Sequence, residues 1–133
     1  MITGGNAERS LAEEVASASG VQTMLDLPLL RLLSVVAAAR LVVCGDTGIA
    51  HVASNYRTPS VLLFGPVLPA RWGPPDDPSH RVIFSGVGTG DPLGSETDAA
   101  LLRITVPEVL DGVHQLLGGV DAERQPEPAG RRS

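Results

Sequence analysis

Two continuous apolar runs, "LVVCG" at residues 41–45 and "SVLLFG" at residues 60–65, constrain this fold most. Each is short, rich in Val and Leu, and closed by a glycine, the pattern of strands buried on both faces. Between them "GIAHVASNY" reads as a two-turn helix. A third buried run, "RVIFSG", follows at residues 81–86. Upstream, "MITG" looks like the end of a strand running into a turn at Gly4 and Gly5. "NAERSLAEEVASASG" then reads as a helix with Asn6 at its N-cap and Gly20 just past its end. "VQTMLDL" fits a short strand, and "PLLRLLSVVAAAR" an apolar helix with Pro28 in its first turn. Strands that alternate with helices predict an α/β fold with a parallel, Rossmann-like sheet and flanking helices.

Downstream, "GVGTGDPLGSETD" at residues 86–98 is a Gly-rich loop. The next segment, "TVPEVLDGVHQLL", has Thr105 and Glu108 at capping-box spacing and Pro107 in the first turn. One incomplete domain is expected over residues 1–119, with residues 120–133 a polar, Pro-bearing, disordered tail. A length of 133 residues leaves little room for a second domain. No apolar run approaches a membrane span, and no charged-then-apolar leader opens the chain.

Composition narrows the function classes. The net charge is −5, and all ten basic residues are arginine. That balance argues against a general nucleic-acid binder, which needs a concentrated basic face. Without lysine, any phosphate held here must meet Arg, hydroxyls, backbone N–H groups or a helix N-terminus. A single cysteine, Cys44, excludes an internal disulfide and fits a reducing cytosol. Its apolar neighbours predict a strand-buried thiol rather than a reactive one.

The chemistry concentrates in "GDTGIAH", residues 45–51. In a parallel sheet, ligands sit beyond the carboxyl ends of the strands, where turns meet helix N-termini. Thr47 can cap the helix that starts near Gly48, and Gly48 lets a ligand come close to the backbone. The first-turn N–H groups suit a diphosphate. His51 falls one turn after Thr47, within reach of the same ligand. The residues alone leave a plainer alternative open, with Asp46 and Thr47 as caps and His51 as a surface histidine. A metal site through Cys44, Asp46 and His51 lacks the usual ligand spacing, so no metal is expected. His80 and His114 have no evident partners and are expected at the surface.

The longer stretch "GDTGIAHVASNYRTPSVLLFGPVLPARWGP" resembles glycosyltransferase family nine, the ADP-heptose:lipopolysaccharide heptosyltransferase type. That family shows D-[ST]-G-x-x-H, a helix, and then T-P-x-V-x-L-F-G-P-T-x-P-x-x-W-G-P. "ITGGNAE" resembles its strand followed by G-G-x-x-E, and "ITVPEVLDGVHQLL" its terminal helix, so the likeness covers roughly residues 2–118. The resemblance implies the C-terminal, donor-binding lobe of a GT-B enzyme that uses a nucleoside-diphosphate sugar, most often ADP-linked, as substrate and needs no other cofactor. Asp46, Thr47, Gly48 and His51 match positions around the donor diphosphate and sugar. Glu8 matches an acid near the donor ribose, and Gly4 and Gly5 the turn over which the nucleotide approaches the sheet.

The chain also departs from the pattern. Val67 replaces the usual Thr, Arg57 stands where a Gly precedes T-P, and "DLPLL" shortens the turn before the Ala-rich helix. The acceptor lobe with its catalytic base, and the first strand of the donor lobe, would lie upstream of Met1. The resemblance therefore implies a fragment in which no residue is a good general base. Such a fragment would be inactive alone, would need the acceptor lobe in cis or in trans, and would be prone to self-association through an open sheet edge. It implies cell-envelope glycan biosynthesis in the cytoplasm or at the inner membrane face. The rival expectations are a noncatalytic nucleotide-binding or interaction module from a decayed or split transferase, and an unrelated flavodoxin-like domain.

Overall fold

A computed structural model describes residues 1–89 and 96–123. They fall into two units, Met1–Val35 and the part from Val36 onward. In both, parallel strands carry flanking helices, so the α/β Rossmann-like expectation holds.

In the first unit β1 (Ile2–Gly4) pairs in parallel with β2 (Thr23–Leu25), and Gly4 lies opposite Leu25. A 3-10 turn over Asn6–Glu8 leads into α1 (Arg9–Ser19). Asn6 is not the N-cap that the sequence predicts. The chain turns inward one residue earlier, at an extended Gly5, and Glu8 occupies the cap position of α1. The Asn6 side chain instead accepts from Arg9 Nε at 3.3 Å. Gly20 closes α1 as expected, with φ at 69° and its N–H on the Ala16 carbonyl at 2.8 Å. That φ is one glycine adopts without the steric cost of a Cβ. Helix α2 (Leu29–Ala38) straddles the boundary between the units and begins just after Pro28, whose carbonyl accepts from Arg31 and Leu32.

The second unit holds a three-stranded parallel sheet, in order β3 (Val42–Gly45), β4 (Ser60–Phe64), β5 (His80–Phe84). The middle strand is the core: Val61, Leu62 and Phe64 are all at or below 1% exposure. Leu62 and Phe64 cluster with Ala50 of α3 (Gly48–Asn55), backed by Cys44, Val82 and Phe84. Val61 points the other way, towards α6 (Val106–Glu123). A Cβ added at Gly112 of that helix would come within 3.4 Å of the Val61 side chain. Helices thus cover both faces of β4, which explains an unbroken apolar strand. Edge strand β3 has one hydrogen-bonded neighbour among the described residues, and its Val43 is 46% exposed.

The connection into β4 carries two specific fixings. Arg57 has a left-handed φ of 54°, at the position where the family pattern has glycine. The next residue, Thr58, is buried and donates its hydroxyl to the Val36 carbonyl at 3.0 Å. At α6, Thr105 and Glu108 form the expected capping box: the Glu108 carboxylate accepts from the Thr105 hydroxyl and N–H, each at 2.7 Å. Those bonds hold the Glu108 carboxyl below its ordinary value. Helix α6 runs on to Glu123, into the stretch expected as tail; residues 124–133 lie outside the described residues. Two short helices, α4 (Pro69–Trp72) and α5 (Ala99–Leu102), have no counterpart in the sequence reading. The Gly-rich loop is described only at its ends, since residues 90–95 lie outside the described set.

His80 corrects a second expectation. It opens β5, half-buried, and its Nδ1 shares a hydrogen bond of 2.8 Å with the fully buried Ser60 hydroxyl. Burial pushes its pKa below the ordinary 6.5, against the opposing pull of Asp77. The folded state therefore holds the proton less well than the unfolded chain. Stability is complete above about pH 6.5 and falls as the pH drops through that value towards the lower folded one. Urea melts across pH 5 to 8 are expected to show this decline, and His80→Asn is expected to flatten it. An unchanged slope in the variant would assign the effect elsewhere. His114, by contrast, is exposed on α6.

Candidate donor-binding site

Strand β3 ends at Gly45, the chain turns through Asp46 and Thr47, and α3 starts at Gly48. Asp46, Thr47, Gly48 and His51 are all solvent-exposed. Thr47 stands at the cap position in an extended conformation, and its carbonyl accepts from the Ala50 N–H at 3.0 Å. Its side chain makes no cap bond, contrary to the sequence expectation. The first-turn N–H groups of α3 are thus untouched by the Thr47 side chain. Helix first turns leave such donors without intrahelical partners, and they carry partial positive charge. A Cβ at Gly48 would meet no protein atom within 4 Å, so internal packing does not demand a glycine there.

Burial, the largest influence, raises the Cys44 thiol pKa to about 11; the Thr47 hydrogen bond opposes it and the Asp46 charge adds to it. At pH 8 a thiol with that value is about one part in a thousand thiolate. The folded chain is expected to react with Ellman's reagent far more slowly than the urea-unfolded chain. Equal rates would show a thiol more open than this geometry allows.

Gly4, Gly5 and Glu8 form a separate arrangement in the first unit. The Gly5 N–H donates to Glu8 Oε2 at 2.7 Å, and the Glu8 N–H donates to the Gly5 carbonyl at 3.1 Å. A Cβ at Gly4 would press on that carboxylate oxygen at 3.2 Å. Any larger residue at Gly4 would therefore crowd the acid that folds over the turn. Glu8 is exposed, as is Gly5.

The sequence reading misses an apolar groove of about 400 Å³ at the C-terminal ends of β3 and β4, lined by Gly45, Leu63, Leu101, Ile104, Val109 and Leu110. Its walls come from three separate segments, and α5 is too short to announce itself by periodicity. Among the described residues, no group of three His, Cys, Asp or Glu side chains could hold a metal ion. No helix among them is long and apolar enough to cross a membrane.

A family model described as glycosyltransferase family 9 (heptosyltransferase) matches residues 2–90, which takes in both glycine turns and the Asp46-to-His51 motif. The chain belongs to glycosyltransferase family 9. A solved structure similar to this family 9 chain is that of the E. coli ADP-heptose LPS heptosyltransferase II, with 25% sequence identity and a TM-score of 0.71. The match covers 90% of this chain and 36% of that one, so the family 9 chain spans little more than a third of the length of the enzyme it matches. No curated protein matches it by sequence.

Proposed function

We propose that this chain is the donor-binding part of a family 9 glycosyltransferase, taking a nucleoside-diphosphate sugar of heptose-like, ADP-linked type. The observation that carries the reading is the start of α3: an exposed helix N-terminus that its own Thr47 side chain does not cap, with open space over Gly48. The first-turn N–H groups and the Thr47 hydroxyl would meet the diphosphate, and Asp46 and His51 would hold the sugar and phosphate. Glu8, on the turn of Gly4 and Gly5, would face the ribose.

In the complete reaction an acceptor hydroxyl attacks the anomeric carbon, the bond to the diphosphate breaks, and its electron pair leaves with the nucleoside diphosphate. Donors aimed at that departing charge are the chief electrostatic help such a site offers. The acceptor's proton goes to a base on the acceptor lobe, supplied in cis or in trans, so this chain alone binds donor without transferring it. We place that reaction in cell-envelope glycan assembly on the cytoplasmic side, at the inner membrane face. The edge of β3 that has no hydrogen-bonded neighbour among the described residues, with Val43 exposed, favours self-association of the isolated chain.

Calorimetric titration of the chain with ADP and AMP tests the reading. ADP is expected to bind and AMP to bind markedly less well, because the site is built for the second phosphate. Equal binding of both, or none of either, would refute it. A noncatalytic nucleotide-binding module would bind ADP as well, but would stay inactive with an ADP-sugar when a family 9 acceptor lobe is added.

A further inference from the structure

We propose that Arg9 and Asp26 are a positioning pair that holds the Gly4 and Gly5 turn, with Glu8 folded over it, in the shape that receives the donor nucleotide; this rests on the donor-binding reading above. Asp26 directly follows β2, next to the residue opposite Gly4. It grips the turn twice. Its N–H donates to the Gly4 carbonyl at 3.0 Å, and its carboxylate Oδ2 accepts from Arg9 Nη2. Arg9 in turn reaches the Asn6 side chain at 3.3 Å, so the guanidinium ties the end of β2 to the middle of the turn. Within the same turn the Glu8 carboxylate is fastened to the Gly5 N–H. Gly4, Asp26, Arg9, Glu8 and Gly5 therefore form a closed circuit of bonds.

Two features say that this circuit serves something other than stability. The Arg9 and Asp26 side chains are 47% and 40% exposed, and exposed ion pairs contribute little to folding. Asp26 nevertheless holds a left-handed φ of 52°, which still costs energy for a residue with a Cβ, although Asp and Asn adopt it more readily than others. A strained residue kept by a pair that contributes little to stability points to a functional demand on the geometry. In a β–turn–α–β unit, the glycine turn and the acid that ends the second strand are the places where a nucleotide is met. Fixing that turn beforehand lowers the ordering cost of binding.

The test is ADP titration of the full chain as wild type, Arg9→Gln, Asp26→Asn and the double variant, with urea melts of each. Asn keeps the tolerance for left-handed φ, so the backbone survives the change. Each single variant is expected to weaken ADP binding about tenfold, the fold-change for roughly 1.4 kcal/mol. The double variant is expected to be no worse than either, with urea midpoints unmoved. Glu13→Gln, which alters the other Arg9 partner at 3.5 Å but not the turn, is expected to bind like wild type. A plain charge effect predicts opposite signs, since losing Arg9 repels a diphosphate and losing the Asp26 charge attracts it; opposite signs would overturn the proposal. So would wild-type affinity in both single variants, or weakened binding that tracks a lowered urea midpoint. If wild type binds no ADP, the donor-binding reading fails and this inference fails with it; if wild type binds and the variants match it, the inference alone fails.

Discussion

Replacing Phe64 with alanine is expected to destabilise the chain by about 3–5 kcal/mol, the usual cost of truncating a buried aromatic ring. Phe64 ends the central strand at 1% exposure and packs with Leu62 and Ala50, backed by Cys44, Val82 and Phe84. Fully buried apolar side chains are few among the described residues of this unit, so little else can close over the cavity. Domains of this size are stable by about 5–15 kcal/mol, and the loss would take much of that margin. Urea unfolding followed by circular dichroism measures it directly. A loss below about 1 kcal/mol would mean that β4 is not the centre of the core. The exposed Trp72, at 58%, is expected to tolerate the same truncation with little change.

The second large effect is on ligand binding. Thr47→Val keeps the β-branched shape and the extended backbone at the start of α3 but removes the hydroxyl. Thr47 is exposed at the start of α3, so the fold is expected to survive. The bond lost in the proposed complex is to a charged phosphate, worth about 1.5–3 kcal/mol, or roughly 10- to 150-fold in affinity. ADP calorimetry on wild type and variant measures the difference. Equal affinities would mean that the Thr47 hydroxyl does not meet the diphosphate.

How much of this was legible in the sequence depends on how local each feature is. The strand around Val61 is a near-continuous apolar run because helices cover both of its faces, and such a run is readable without a structure. Thr105 and Glu108 form their capping box because the motif needs only the correct spacing. The turn through Asp46, Thr47 and Gly48 was readable for the same reason, as part of one strand-to-helix connection. What failed was decided by choices between competing partners. Asn6 looked like a cap, but the Glu8 carboxylate reached the Gly5 N–H first and moved the turn. Thr47 stands at the cap position of α3, yet its side chain makes no cap bond. His80 reads as a surface residue without partners because the apolar run begins after it, yet its strand pairing sets it opposite Ser60. The groove beside Gly45 was invisible for another reason: Leu63, Leu101 and Val109 meet only after the chain has folded.

The most direct measurement is amide-resolved nuclear magnetic resonance of the full chain titrated with ADP. The central claim is that the diphosphate lies on the start of α3. It predicts the largest shifts at the amides of Gly48, Ile49 and Ala50. Shifts confined to Ile104, Val109 and Leu110 along the apolar groove, or none at Gly48 at saturating ADP, would contradict it.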